Sequence, residues 1–263
     1  MSELMKVSEN TVPVPSALPQ SEWPLRSQPL APWWHTGLLV AIITGVSILS
    51  GMHATALGTL HTSNIHRYIV TLAWELVLAL ITLWGIYIRR TPLRQILGTR
   101  RSSLRDWALD AFIAGIFWIV ALVVLGAIAT VLRLVHLAHV QKAVIAIAPQ
   151  NIPQVLLWLV LCIAAGIIEE FVFRGYLLQQ FSSLPIGSAR TRLVVAVLAS
   201  SLLFGSAHGY EGIGGMIAIT AYGAMFSILA IYRRSLRPGM IAHAWHDSIT
   251  GIVLAIAKHA RVI

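Results

Sequence analysis

Seven stretches of this chain are apolar for 17 to 26 residues at a time, at about 37–57, 68–88, 107–132, 155–178, 193–209, 213–232 and 240–257. Nothing else in the sequence limits the fold as strongly. Crossing the roughly 30 Å hydrocarbon layer takes about 20 helical residues at 1.5 Å each. A backbone at that depth meets no water and must satisfy its own hydrogen bonds. The runs therefore predict an all-α fold, a polytopic transmembrane helix bundle of about seven spans embedded in the lipid bilayer. The stretch 133–152, with His136, His139 and Lys142, is expected to form an interfacial or re-entrant helix, or an eighth span if it inserts. Composition agrees, since only 11% of residues are charged against roughly 25% in soluble domains. The first 32 residues are polar, contain six prolines and lack the features of a signal peptide. Residues 1–35 are thus expected to be a disordered tail, and 36–263 a single membrane domain.

The formal net charge of +9 invites a nucleic-acid reading, but the basic residues lie between the apolar runs, where orientation signals belong. No nucleic-acid partner is expected. Placing the N-terminus in the cytoplasm puts thirteen Lys and Arg on the inner segments and five on the outer ones, leaving Arg174 within a span. That asymmetry predicts a multi-pass protein of the cell membrane with a cytoplasmic N-terminus. The one cysteine, Cys162, cannot form an internal disulfide. Gly223 and Ser227 form a small-xxx-small pair suited to close helix packing.

Ten residues are acidic, and Glu169, Glu170 and Asp247 lie deep in the last four spans. An ionised carboxylate at mid-bilayer costs about 2.5–3.5 kcal/mol on insertion scales, so each needs a partner or a wet cavity. Glu170 and Arg174 are spaced i, i+4 and share one helix face, which predicts a structural ion pair. Glu169 is rotated by about 100° from its neighbour and is left over. Two later stretches offer it partners: "FGSAH", with Phe204 and His208, and "HAWHD", with His243, His246 and Asp247. A glutamate and a histidine in a dry cavity can activate a water, and a second histidine can donate to the oxyanion that follows. The same groups are zinc ligands by type: His208, His243 and either Glu169 or Asp247 would make a three-ligand divalent-metal site. The helix-borne signature H-E-x-x-H is absent. Counted from the span ends, His208 and His243 sit at different depths unless span five starts outside the lipid or span seven starts inside it.

Together these stretches resemble the CPBP family of intramembrane endopeptidases, which includes the CAAX prenyl proteases and the Abi or bacteriocin-processing proteins. The family pattern E-E-x-x-x-R, F-x-x-x-H, H-x-x-x-N reads here as Glu169-Glu170 to Arg174, Phe204 to His208 and His243 to Asp247. The resemblance covers about residues 153–257. It implies hydrolysis of a peptide bond in a peptide or membrane-protein substrate, by a glutamic or a metal-dependent mechanism. Glu169 and His208 would activate water, His243 and Asp247 would hold the oxyanion, and Glu170 with Arg174 would be structural. Asp247 departs from the family's asparagine: an ionised aspartate cannot donate to an oxyanion. It must be protonated, orient His243 or bind a metal.

Two other expectations compete. One is a non-catalytic membrane immunity or peptide-binding protein of the same fold, motivated by Asp247. The other is a proton- or ion-coupled transporter using Glu75, Glu169 and Glu170; no internal repeat supports it.

Overall fold

Helix starts are written into the sequence as short polar caps between apolar runs. The computed structural model describes residues 23–57, 63–98, 103–137 and 142–260. Ser63 accepts from the His66 amide ahead of α2 (Asn64–Ile88), and Ser103 forms a reciprocal capping box with Asp106 ahead of α4 (Leu104–Leu134). Asn151 accepts from Gln154 N ahead of α6 (Ile152–Glu169), and Ser188 from Thr191 N ahead of α8 (Ala189–Ser206). The remaining elements are α1 (Trp33–Leu57), the short α3 (Leu93–Leu97) and α5 (Lys142–Ile147), α9 (Gly212–Arg233) and α10 (Arg237–His259). After Glu169, α6 continues as a π-helical stretch, Glu170–Leu177, and then as α7 (Leu178–Ser182). A 3₁₀ turn, Gly209–Glu211, joins α8 to α9. No strand occurs among the described residues.

Seven helices are long and apolar enough to cross a membrane: Trp33–Met52, Asn64–Ile88, Leu104–Leu134, Ile152–Ser182, Ala189–Ser206, Gly209–Arg233 and Arg237–His259. The protein is therefore an all-α, polytopic integral membrane bundle. The fourth span is a 31-residue rod, about 46 Å long at 1.5 Å per residue, so it outruns the hydrocarbon layer. The eighth span does not form among the described residues. α4 ends at Leu134, His136 takes a left-handed φ of 57°, and the six residues of α5 are too few to cross. The end of α5 instead abuts α2, where Asn64 Nδ2 donates to Ala148 O at 3.1 Å and the Tyr68 hydroxyl donates to Ile147 O. His139 lies outside the described residues.

Residues 23–35, read from sequence as part of a tail, are folded onto the bundle. Trp23, Leu30 and Ala31 are buried. Trp23 Nε1 donates to Ile96 O at 3.1 Å, and the Leu30 amide to Gln180 Oε1 at 2.7 Å. Gln180 Nε2 returns a bond to Ala31 O at 2.9 Å, and Ser182 Oγ donates to Pro24 O at 2.8 Å. Prolines 24, 29 and 32 hid this segment from a helical reading. They keep it extended, which presents its remaining backbone groups to buried polar side chains of α7. Residues 1–22 lie outside the described residues.

The core sits around the π-helical stretch, all eight residues of which are buried. Phe171, Val172, Phe173, Tyr176 and Leu177 pack with Leu39 and Ile43 of α1, Leu78 and Ile86 of α2, and Phe204 of α8. Lipid supplies no hydrophobic drive between helices, so close approach depends on small residues. Gly166 shows this: a Cβ there would stand 2.8 Å from Ala244 N and 3.0 Å from Met240 O of α10. A second junction ties α4 to α9 and α10. Buried Asp110 accepts from Arg233 at 2.8 Å and lies 2.7 Å from Arg237, whose guanidinium covers Trp107.

Candidate active site

The change from α- to π-helix at Glu169–Glu170 governs how the two carboxylates are presented. π-helical turns are rare and concentrate at functional sites. Arg174 is the centre of the closed side. It is fully buried, its Nη1 donates to Glu170 Oε1 at 2.8 Å, and its Nη2 donates to Gly223 O at 3.0 Å. Its guanidinium lies 4.2 Å from the centroid of the Phe204 ring and 5.1 Å from that of Phe226, within cation–π range. Gly223 does more than permit helix packing. A Cβ there would stand 3.2 Å from Arg174 Nη2 and 3.0 Å from Phe204 Cδ1, so the glycine leaves the space the arginine occupies.

Glu170 is not reserved for Arg174. Its Oε1 also accepts from His243 Nδ1 at 3.2 Å. That bond fixes the imidazole so that Nε2 points the other way, 3.6 Å from Glu169 Oε2 and 3.6 Å from Asp247 Oδ2. The ring stacks on Phe226 with centroids 5.2 Å apart. His243 therefore joins the closed ion pair to an open carboxylate pair. Side-chain exposure rises along this line, from 1% at Glu170 to 6% at His243, 14% at Glu169 and 32% at Asp247. Trp158 Nε1 donates to the Asp247 carbonyl at 3.1 Å and ties α10 to α6 at the same level.

His208 follows the end of α8, and its Nδ1 donates to Phe204 O at 2.9 Å. In the neutral ring that leaves Nε2 as an acceptor. No hydrogen bond or ion pair joins His208 to Glu169 among the described residues. Phe204 bridges the two regions instead, with its ring centroid 5.1 Å from His208 and 6.0 Å from His243. His246 packs against Tyr222, with 5.0 Å between centroids.

The difference in depth between the two histidines is absorbed at both ends. α10 begins beside Gly175, where Leu236 Cδ1 would stand 3.0 Å from an added Cβ. That is seven residues short of Ser182, the end of the rod, whereas α8 starts only after that end. Ser200 Oγ donates to Phe173 O at 2.7 Å and sets the register of α8 against the rod. Phe204 and His208 thus arrive at the level that His243 reaches after only six residues of α10.

Glu75 comes from α2, which packs along α6; it is 4% exposed, and its Oε2 is buried without a hydrogen-bond partner. Among the described residues no group of three or more histidine, cysteine or acidic side chains is arranged to hold a metal ion.

No curated protein and no solved structure matches the chain. Residues 151–249 match the family described as "Type II CAAX prenyl endopeptidase Rce1-like". They run from the cap of α6 into α10 and include Glu169, Glu170, Arg174, His208, His243 and Asp247. The segment that holds both carboxylates, their arginine and both histidines in one bundle is thus the part of the chain that is similar to the Rce1-like type II CAAX prenyl endopeptidases.

Proposed function

We propose that the protein is an intramembrane endopeptidase that cleaves a peptide bond near the cytoplasmic membrane face, with Glu169 and His208 activating water. One observation carries the reading. Glu169 Oε2 is buried with no donor within hydrogen-bond distance, and the His243 imidazole stands 3.6 Å away. A carboxylate oxygen left in that state has the capacity to accept a proton. Water bound there, and held by the acceptor Nε2 of His208, adds its oxygen to the scissile carbonyl carbon while its proton passes to Glu169. The carbonyl oxygen becomes an oxyanion and takes a hydrogen bond from protonated His243. Glu169 then returns the proton to the amine as the C–N bond breaks. Asp247, 3.6 Å from His243 Nε2, acts by orienting that ring, which removes the difficulty of an aspartate facing an oxyanion.

The family's description names prenylated CAAX chains as its substrates. For this protein the substrate class is a peptide or membrane-protein segment, prenylated or not, entering from the cytoplasmic leaflet of the cell membrane. The test is purified protein with fluorogenic peptides, prenylated and plain. Cleavage lost in Glu169→Ala and in His208→Ala is the expected result; cleavage at parental rates in both sinks the assignment. A second reading, non-catalytic capture of a peptide as an immunity factor, is favoured by the separation of His208 from Glu169. It requires Glu169→Gln to keep the cellular phenotype, which an enzyme variant would lose.

A further inference from the structure

Charge is out of balance where α4 begins, α9 ends and α10 begins, three helix ends that meet at one face of the bundle. Asp110 is fully buried there and lies 2.8 Å from Arg233 and 2.7 Å from Arg237. One carboxylate offsets one guanidinium, so a positive charge is left over. Donors also outnumber acceptors: Arg233 Nε and both Nε and Nη1 of Arg237 are buried without a hydrogen-bond partner. A guanidinium offers five N–H donors and no acceptor, and a buried donor left unpaired is costly.

The junction is open on one side. The Arg233 side chain is 26% exposed and that of Arg237 13%. Trp107 is 48% exposed, and its ring centroid lies 4.9 Å from the Arg237 guanidinium. Arg105 and Arg234 are exposed at the same helix ends. The acid closest to them in sequence, Asp106, already accepts from Ser103. Tryptophan and arginine at the ends of apolar spans mark the level of the lipid headgroups. Further along α4, Leu109, Phe112 and Ile116 expose apolar surface. A ligand that fits has an anionic head with several acceptor oxygens, which a guanidinium fork binds well, and an apolar tail. Basic pockets between membrane helices recognise lipid headgroups in this way.

We propose that Arg233, Arg237 and Trp107 form a binding site for the phosphate of an anionic phospholipid, whose acyl chains run along the exposed apolar surface of α4. The site is separate from the Glu169 cluster and does not depend on the peptidase reading.

The test offers the purified full-length protein in detergent equal amounts of phosphatidylglycerol and phosphatidylcholine, with retained lipid read by native mass spectrometry. The parent should prefer phosphatidylglycerol by at least about fivefold, the contribution of one basic residue near an anionic headgroup. Arg237→Gln should remove most of that preference, because Asp110 paired with Arg233 then leaves the junction neutral; Arg233→Gln should do the same. Arg133→Gln, at the far end of α4, should leave the preference intact, and an excess of inorganic phosphate should not displace the lipid. Equal retention of the two lipids by the parent overturns the proposal whether or not any variant folds. So does a preference that survives both Arg233→Gln and Arg237→Gln, or one that falls as far in Arg133→Gln. Displacement by inorganic phosphate overturns the lipid assignment and makes the junction a site for free anions.

Discussion

Glu170 and Glu169 are neighbours in sequence and opposites in setting. Around Glu170, the buried arginine donates to the carboxylate and to a backbone carbonyl, three aromatic rings close over it, and a histidine completes the shell. Around Glu169 and Asp247, oxygens lie 3.6 Å from one imidazole nitrogen and exposure rises; Oε2 of either glutamate is without a hydrogen-bond partner, but Glu170 is the one bound to Arg174. The first arrangement is the one expected where charge must be neutralised to remain inside a membrane protein. The second keeps acceptor capacity in reserve, which helps turnover more than it helps folding. One imidazole serves both, so the closed half fixes the geometry of the open half.

Substitutions on either side put this contrast to the test. Glu169→Ala is expected to lower kcat about 10²–10⁴-fold, the usual contribution of a general base. Its denaturant midpoint in detergent should stay close to the parent's, and a large loss of stability would erase the distinction. Arg174→Ala should do the reverse, destabilising the fold by about 3–5 kcal/mol by leaving Glu170 buried without its cation. Unfolding with denaturant measures it, and a stable Arg174→Ala protein would mean Glu170 is neutral there. Gly223→Ala should cost about 1–3 kcal/mol in the same measurement, because the added methyl meets Phe204 and Arg174. Asp247→Asn should change kcat by less than about tenfold, or 1.4 kcal/mol, since an asparagine keeps the contact with His243. A far larger loss would make the negative charge of Asp247 part of the reaction. Cleavage by dialysed protein should be unchanged by a divalent-metal chelator; inhibition reversed by zinc would replace the direct water mechanism with a metal-assisted one.

Much of this was legible in the sequence, and the reasons are local. The seven spans follow from hydropathy, because the bilayer imposes one length on every crossing. The Glu170–Arg174 pair follows from i, i+4 spacing, which survives the transition to a π-helix. Contacts between distant segments left no comparable mark. The bond from His243 to Glu170 joins residues 73 positions apart. The strap formed by residues 23–32 reads as tail by composition, because its buried groups are few and scattered among prolines. The extent of the fourth span was blurred for a different reason: the polar residues Gln179, Gln180 and Ser182 that end the apolar run remain helical, their side chains satisfied by that strap and, for Gln179, also by Ile96 O of α3.

The π-helical stretch from Glu170 to Leu177 also bears on how this protein could be made hardier. The customary route to a heat-resistant membrane protein is to tidy its helices, trimming irregular turns and installing strong helix formers. Applied here, removal of one residue from the stretch would rotate all that follows by about 100° and carry Arg174 away from Glu170 and Gly223. Propensity-driven stabilisation of the rod therefore belongs before Glu169 and after Leu177, sparing Gly166 and the hydrogen-bonded Gln179, Gln180 and Ser182. Between those points the irregularity is what an engineer must leave untouched.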